Sequence, residues 1–209
     1  MSTAEVLICP EGRPPPEHVE TVEVPHAPRP RRWTSEEFRC FAEAGVFDPQ
    51  ERLELIEGEI YRMSPQSRRH VLVVHRVRRA LEAVFGAGHL ILTHSPLHAS
   101  PGSVPEPDVS VLEVSEEAYL SRDRDDALLV VEVSETSLRF DRTRKAPLYA
   151  QSGIPEYWVV NLIEKVVEVY TDPDPANAEY RSIRLLRAGD VLVPRAAPDA
   201  EIPVADLLP

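Results

Sequence analysis

The segment from Leu128 to Ser134 restricts the fold of this chain more than any other stretch. It runs Leu-Leu-Val-Val-Glu-Val-Ser, with apolar side chains at both alternating sets of positions. Successive side chains of a strand point to opposite faces, so a strand that is apolar on both faces is covered on both sides. The segment therefore predicts a central strand of a sheet. Glu132 lies within it, on the same face as Val130.

Two acidic residues lie within or beside apolar runs of this kind, and a lysine follows them along the chain. An ionised carboxylate buried without a partner is costly, so Glu132 requires a nearby cation. Asp108 follows Pro107 at the start of a second apolar run, and Lys145, one of only two lysines, lies in the helix predicted after Glu132. Each residue alone is commonly a turn, strand-edge or surface residue. Their combined order, Pro-Asp, then Glu-x-Ser, then Lys, favours a shared site.

The composition limits both the domain count and the class of partner. A chain of 209 residues that is 43% hydrophobic and 28% charged suits one substantial core. No apolar segment approaches the roughly 20 residues of a membrane span, and no signal-peptide pattern is present at the N-terminus. Cys9 and Cys40 fit neither a disulfide framework nor a zinc pattern, which predicts a reducing, cytoplasmic location. The net charge of -12 argues against a broad basic nucleic-acid-binding surface but allows a local basic groove.

The chain divides into a proline-rich segment and a patterned remainder. Residues 1–32 show no sustained hydrophobic period, which predicts a flexible tail, and residues 33–209 are predicted to form a single domain. Thr34 to Glu37 forms a capping-box signature that begins a helix ending at Gly45. Two short strands around Glu57 and Gly58 predict a tight hairpin, from which either Glu54 or Glu57 can reach the site.

Three later segments carry further predictions. Residues 67–85 have a helical period, and Arg69, Arg76 and Arg79 share a face that either approaches phosphates or is merely solvated. A helix capped by Asp141 is predicted to run to residue 151, with either a bend or a late start at Pro147. A hairpin over residues 156–170 follows. Its aromatic residues either form an exposed homodimer surface or belong to the core: Tyr157, Trp158 and Tyr170.

The two carboxylates predict a metal-dependent chemistry. Together with the backbone carbonyl of Val133, Asp108 and Glu132 make an oxygen-rich site that suits Mg²⁺, with Mn²⁺ as an alternative. Such a metal would polarise a phosphoryl oxygen and lower the pKa of a bound water. Lys145 would orient that water or offset charge on phosphorus. This assembly suits hydrolysis of a phosphodiester bond, with DNA as the expected substrate.

Several sequence blocks resemble one known family. The blocks EPDVSV, VVEVSETSLRFDRTRK, APLYAQSGIPEYWVVNL and ELIEGEIYRMSP are similar to the Uma-two family, which is placed in the PD-(D/E)XK restriction-endonuclease-like superfamily. The resemblance covers about residues 33 to 209. It implies an α/β fold in which a mixed β-sheet is flanked by α-helices, with extra antiparallel hairpins and a divalent-metal nuclease centre.

The resemblance also assigns site residues. It implies Asp108 and Glu132 as the acidic ligands and Glu54, rather than Glu57, as the early acidic residue. Ser134 stands where the superfamily has a lysine, and the resemblance places that role at Lys145 on the following helix.

Two functions are compatible with this sequence. The first is a divalent-metal-dependent endonuclease that hydrolyses DNA. The second is a catalytically inactive nuclease fold that binds DNA or a protein partner, which the acidic balance and Ser134 favour. An enzyme that uses paired carboxylates on sugars has no support from Lys145 or the Pro-Asp context.

Overall fold

Residues 29–86, 88–121 and 126–209 are described by a computed structural model. The helices are α1 (Ser35–Glu43), α2 (Arg68–Phe85), α3 (Glu116–Tyr119), α4 (Leu138–Phe140), α5 (Ala146–Gln151) and α6 (Val204–Leu207), with a π-helical turn over Asp141–Lys145. The strands are β1 (Leu53–Ile56), β2 (Glu59–Arg62), β3 (Leu90–Leu92), β4 (Val109–Leu112), β5 (Ala127–Ser134), β6 (Glu156–Asn161), β7 (Val166–Asp174), β8 (Glu179–Leu186), β9 (Val191–Leu192) and β10 (Ile202–Pro203). Residues 31–209 form one compact unit, and the predicted tail lies almost entirely outside the described residues.

The largest sheet within the described residues has six strands in the order β3-β4-β5-β6-β7-β8. Strands β5 and β6 are parallel, and every other neighbouring pair in this sheet is antiparallel. The predicted central strand is confirmed, because β5 lies between β4 and β6 and is buried along nearly its whole length. The mixed α/β fold class is likewise confirmed.

Helices and a hairpin cover the two faces of the sheet. Helices α2 and α6 pack on one face against Val131, Val133 and Trp158. Helix α5 and residue Ile56 of β1 belong to a second core cluster, which includes Val130 on the opposite face of β5. Glu132 shares its alternation with Val130, so it points to the face on which α5 packs.

The hairpin and helix starts largely agree with the sequence pattern. Thr34 accepts a hydrogen bond from the backbone of Glu37, and the Glu37 side chain bonds back to Thr34, which completes the predicted capping box. The predicted hairpin forms between β1 and β2, with Glu57 and Gly58 both at positive φ in its turn. Among the described residues no helix is long and apolar enough to cross a membrane.

One sequence interpretation needs correction, and the structure decides one alternative that the sequence left open. Asp141 is not a helix cap, because the helical segment begins at Leu138 and Asp141 lies inside it as the first residue of the π turn. Tyr157, Trp158 and Tyr170 are buried in the core, so they provide no exposed surface for a homodimer. The homodimer stays a prediction without that surface.

Candidate active site

One cleft, with a cavity of about 290 Å³, gathers every side chain that the sequence placed in the site except Glu57. The β1–β2 hairpin supplies Glu54, the end of the loop before β4 supplies Asp108, and β5 supplies Glu132. The π turn supplies Lys145. Residues far apart along the chain therefore meet at one place, as predicted.

Lys145 joins two of the acidic residues. Its Nζ donates to Glu132 Oε1 at 2.8 Å and to Glu54 Oε1 at 3.1 Å, and it lies 3.0 Å from Glu54 Oε2. The hydroxyl of Tyr149, one turn further along, donates to the same Glu132 oxygen at 2.8 Å. Lys145 and Glu54 are each only 1% exposed. A buried ammonium thus lies between two buried carboxylates, in a three-residue network.

The burial of this network shifts its ionisation. Burial alone would lower the pKa of Lys145, but the negative charges of Glu132, Glu54 and Asp141 raise it, so the ammonium form persists. Burial raises the pKa of Glu132 well above its usual range, against the opposing charge of Lys145. Burial likewise raises the pKa of Glu54. Lys145 is therefore a fixed positive charge and not a proton acceptor.

Asp108 lies in a separate set of hydrogen bonds on the other side of Glu132. Its Oδ2 accepts from the backbone N–H of Val133 at 2.7 Å, and its Oδ1 lies 2.9 Å from His70 Nε2. Gln66 donates to Oδ1 at 3.3 Å, and His94 Nδ1 lies 3.4 Å from it. Burial would raise the pKa of Asp108, but the bond and charge of His70 and the Val133 N–H outweigh it and lower the pKa.

A further buried carboxylate, that of Asp141, lines the same cleft. Its Oδ2 accepts hydrogen bonds from the hydroxyls of Ser134 and Ser137, both at 2.6 Å. Its Oδ1 is closed off from solvent and has no hydrogen-bond partner. Burial raises the pKa of Asp141, although the charge of Lys145 opposes that rise. Ser134, at the position of the expected lysine, thus serves to hold this acid.

The structure decides which of Glu54 and Glu57 reaches the site. Glu54 is buried against Lys145, whereas Glu57 lies in the hairpin turn, half exposed, with its Oε2 3.0 Å from Arg144. Alternation placed the two residues on opposite faces of the hairpin, but only packing decides which face is inside.

Exchanging each glutamate for glutamine tests this separation. Glu54→Gln is expected to lower the free energy of unfolding by about 1–3 kcal/mol, because it removes the charge of a buried partner of Lys145. Glu57→Gln is expected to change the free energy of unfolding by no more than about 0.5 kcal/mol, because its ion pair is exposed. Urea denaturation of both variants measures the difference. Equal costs would contradict the assignment of Glu54 to the site.

Sequence reasoning missed the contacts of His70, Gln66, His94 and Tyr149. His70 lies in the first turn of α2, three residues after the capping Ser67. Nothing in the pattern signalled that this turn faces Asp108. The arginine face of α2 is not a free phosphate-binding stripe, because Arg69 donates to the Leu162 carbonyl at 3.0 Å and Arg76 donates to the Leu208 carbonyl.

The carboxylate oxygens of the cleft are ligands of the kind that a divalent metal ion prefers. Carboxylate oxygens are the ligands that Mg²⁺ prefers, and the cleft holds four buried acids, Glu54, Asp108, Glu132 and Asp141, against one ammonium. The unpartnered Oδ1 of Asp141 adds to this excess of acceptors. Within the described part of the chain, no three His, Cys, Asp or Glu side chains converge as a metal-binding group. A bound ion would therefore also need backbone oxygen and water, as Mg²⁺ commonly does.

Comparison with known proteins identifies the family and a similar fold. A family model named Uma2 and described as "Putative restriction endonuclease" matches residues 35–205. A solved structure described as a "putative nuclease belonging to DUF820", from Anabaena variabilis ATCC 29413, superposes with a TM-score of 0.63 and 14% sequence identity. The match covers 83% of this chain and 96% of that one. No curated protein matches this chain at a significant level.

Proposed function

This chain belongs to the Uma2 family, and from that premise and the cleft we propose that it is a divalent-metal-dependent endonuclease that hydrolyses phosphodiester bonds in DNA. The observation that carries the proposal is the convergence of Asp108, Glu132 and Lys145 in one cleft. Membership in a restriction-endonuclease-like family and the nuclease-like fold support it.

We assign metal binding to Asp108, Glu132 and the backbone carbonyl of Val133. The Val133 N–H points toward Asp108 Oδ2, and in an extended strand the N–H and C=O of one residue point to the same side. That geometry supports a role for the carbonyl beside the same carboxylate. When bound, the ion would activate a water and offset charge on the phosphoryl group; either Mg²⁺ or Mn²⁺ would suit these ligands.

The other residues act through position and charge. Glu54 holds Lys145 in the cleft through a contact of 3.1 Å, so the ammonium is fixed before substrate arrives. A preorganised cation stabilises negative charge that develops on phosphorus, because it does not have to reorient during the reaction. Since its raised pKa keeps Lys145 protonated, its role is to orient the attacking water and to offset charge, not to remove a proton. His70 and Gln66 hold Asp108 in place.

A cleavage assay on plasmid and single-stranded DNA tests the proposal. Wild type is expected to cut with Mg²⁺ or Mn²⁺ and to stop when EDTA is added. Glu132→Gln is expected to lose activity by about 10²–10³-fold, because an amide is a poor substitute for a charged ligand. Glu57→Gln, on the exposed hairpin turn, is the matched control and should cut like wild type. Equal traces of cleavage from wild type and Glu132→Gln would identify a contaminant.

A binding module without catalysis is the second candidate. It is favoured by one observation, that the Asp108 and Glu132 carboxylates already have internal partners in His70, Val133, Lys145 and Tyr149. DNA binding without cleavage, measured in the same metal conditions, would support it over the nuclease.

A further inference from the structure

The unpaired carboxylate oxygen of Asp141 and the ammonium of Lys145, which donates to both Glu54 and Glu132, are complementary. Glu132 Oε1 is already occupied by Lys145 at 2.8 Å and by Tyr149 at 2.8 Å. If Glu132 is a ligand of a cation, as proposed above, a cation and the ammonium would compete for the same carboxylate. Lys145 is completely enclosed, so it needs another buried acceptor if it moves away from Glu132.

Asp141 offers that acceptor at the right place. Asp141 and Lys145 are the first and last residues of one π turn, and residues four apart in a helix lie on the same side. The negative charge of Asp141 is also one of the charges that raise the pKa of Lys145. Single π turns inside helices are frequent at functional sites.

The surroundings of Asp141 favour an internal partner over water. Its Oδ1 has no access to solvent and no hydrogen-bond donor, whereas Oδ2 is fixed by Ser134 and Ser137 at 2.6 Å each. An unpaired buried acceptor is costly, so a site of this kind is retained where a donor arrives in another state. Lys145, at the other end of the same π turn, is a buried cation with a long side chain, and we expect it to be the donor for this oxygen.

We infer that Asp141 is a positioning residue that receives the ammonium of Lys145 when a divalent cation occupies Glu132. Lys145 then keeps two anionic partners, Glu54 and Asp141, in the loaded state and Glu54 and Glu132 in the empty state. The exchange removes the ammonium from Glu132, which keeps its hydrogen bond from Tyr149, and leaves no buried charge unpaired. This inference rests on the metal site of the proposed function.

Measuring the affinity for Mn²⁺ tests the proposed movement of Lys145 from Glu132 to Asp141 without relying on DNA cleavage. The full-length chain is titrated with Mn²⁺ by calorimetry, as wild type and as Asp141→Asn, which keeps the shape of the side chain and removes its charge. The dissociation constant of Asp141→Asn is expected to rise by about 10-fold or more, in the range seen when residues behind metal ligands are changed. Glu106→Gln is the matched control, because Glu106 lines the cleft, is half buried and does not bond Lys145.

A crystal structure of the wild-type chain with Mn²⁺ supplies a second measurement that does not depend on a variant folding. Lys145 Nζ is expected within about 3.2 Å of Asp141 Oδ1 and no longer bonded to Glu132. If Lys145 stays on Glu132, or Asp141→Asn binds Mn²⁺ no worse than Glu106→Gln, the inference fails and the nuclease proposal stands. If wild type binds no Mn²⁺, the metal site fails and the exchange fails with it.

Discussion

Replacing Lys145 by methionine is expected to destabilise the chain by about 3–5 kcal/mol at neutral pH. Methionine has a similar volume and no charge, so it leaves Glu54 and Glu132 buried without their cation. Loss of one partner from a buried ion pair is costly because the remaining charge is neither solvated nor paired. Urea denaturation measures the free energy of unfolding, and DNA cleavage by this variant should fall to background.

The cost of Lys145→Met should depend on pH in a defined direction. Burial raises the pKa of Glu54 and Glu132, and removal of Lys145 also removes the charge that opposes this rise. A carboxyl group with a raised folded-state pKa contributes stability that is present below its unfolded pKa and is lost as the pH rises through the folded value. The variant should therefore regain stability as the pH is lowered and the two glutamates are protonated.

The other lysine of the chain provides the matched control. Lys165 lies exposed in the turn between β6 and β7, and Lys165→Met makes the same chemical change outside the cleft. It should change the free energy of unfolding by no more than about 0.5 kcal/mol. Comparable losses in both variants would mean that the Lys145 network contributes nothing specific.

Asp108→Asn is expected to lower DNA cleavage by about 10²–10³-fold. The carboxylate accepts from Val133 and His70 on two different oxygens, and an amide presents a donor where one of them requires an acceptor. The mismatch also costs about 1–3 kcal/mol of stability, because a buried donor is left without its acceptor. Initial rates at saturating Mg²⁺ and urea denaturation separate these two effects.

The pH dependence of the free energy of unfolding shows whether Asp108→Asn is destabilised by the loss of charge or by altered packing. The hydrogen bonds and charges around Asp108 lower its pKa in the folded state, so its contribution to stability is present above its unfolded pKa and is lost as the pH falls through the folded value. The stability gap between wild type and Asp108→Asn should narrow over that acidic range. A gap that is constant with pH would assign the cost to packing alone.

Glu156→Gln is the control for removing a buried acid. Glu156 is as buried as Asp108 but lies outside the cleft, where it accepts from the Trp158 indole at 2.9 Å and from the Arg195 backbone at 2.7 Å. Its replacement is expected to leave the cleavage rate unchanged. If Glu156→Gln were as inactive as Asp108→Asn, the loss would reflect general destabilisation.

The local sequence pattern predicted a large part of the fold. The apolar run of β5 required cover on both faces, which predicted its central place, and the capping box at Thr34 and the Glu57-Gly58 turn follow from hydrogen bonds between near neighbours. The order of Asp108, Glu132 and Lys145 predicted that they share a site. Burial in apolar segments is the basis of that prediction, because a charge in such a segment requires a partner.

Contacts between distant segments could not be predicted in this way. Alternation places Glu54 and Glu57 on opposite faces of the hairpin without saying which face is inside, and only the packing of the β1–β2 hairpin buries Glu54 against Lys145. The same holds for His70, which reaches Asp108 only because the start of α2 packs beside the residue that precedes β4.

The sequence by itself determined the central strand, the hairpins and the acidic and basic residue types on which the proposed function depends. The tertiary structure decided which acids face each other, that Lys145 is held as an ammonium between two of them, and that Asp141 leaves one oxygen unpaired. The physical reason is the separation along the chain of the residues that interact. Alternation and capping arise from neighbours within a few residues, whereas hydrogen bonds and burial in the cleft depend on how separate elements pack.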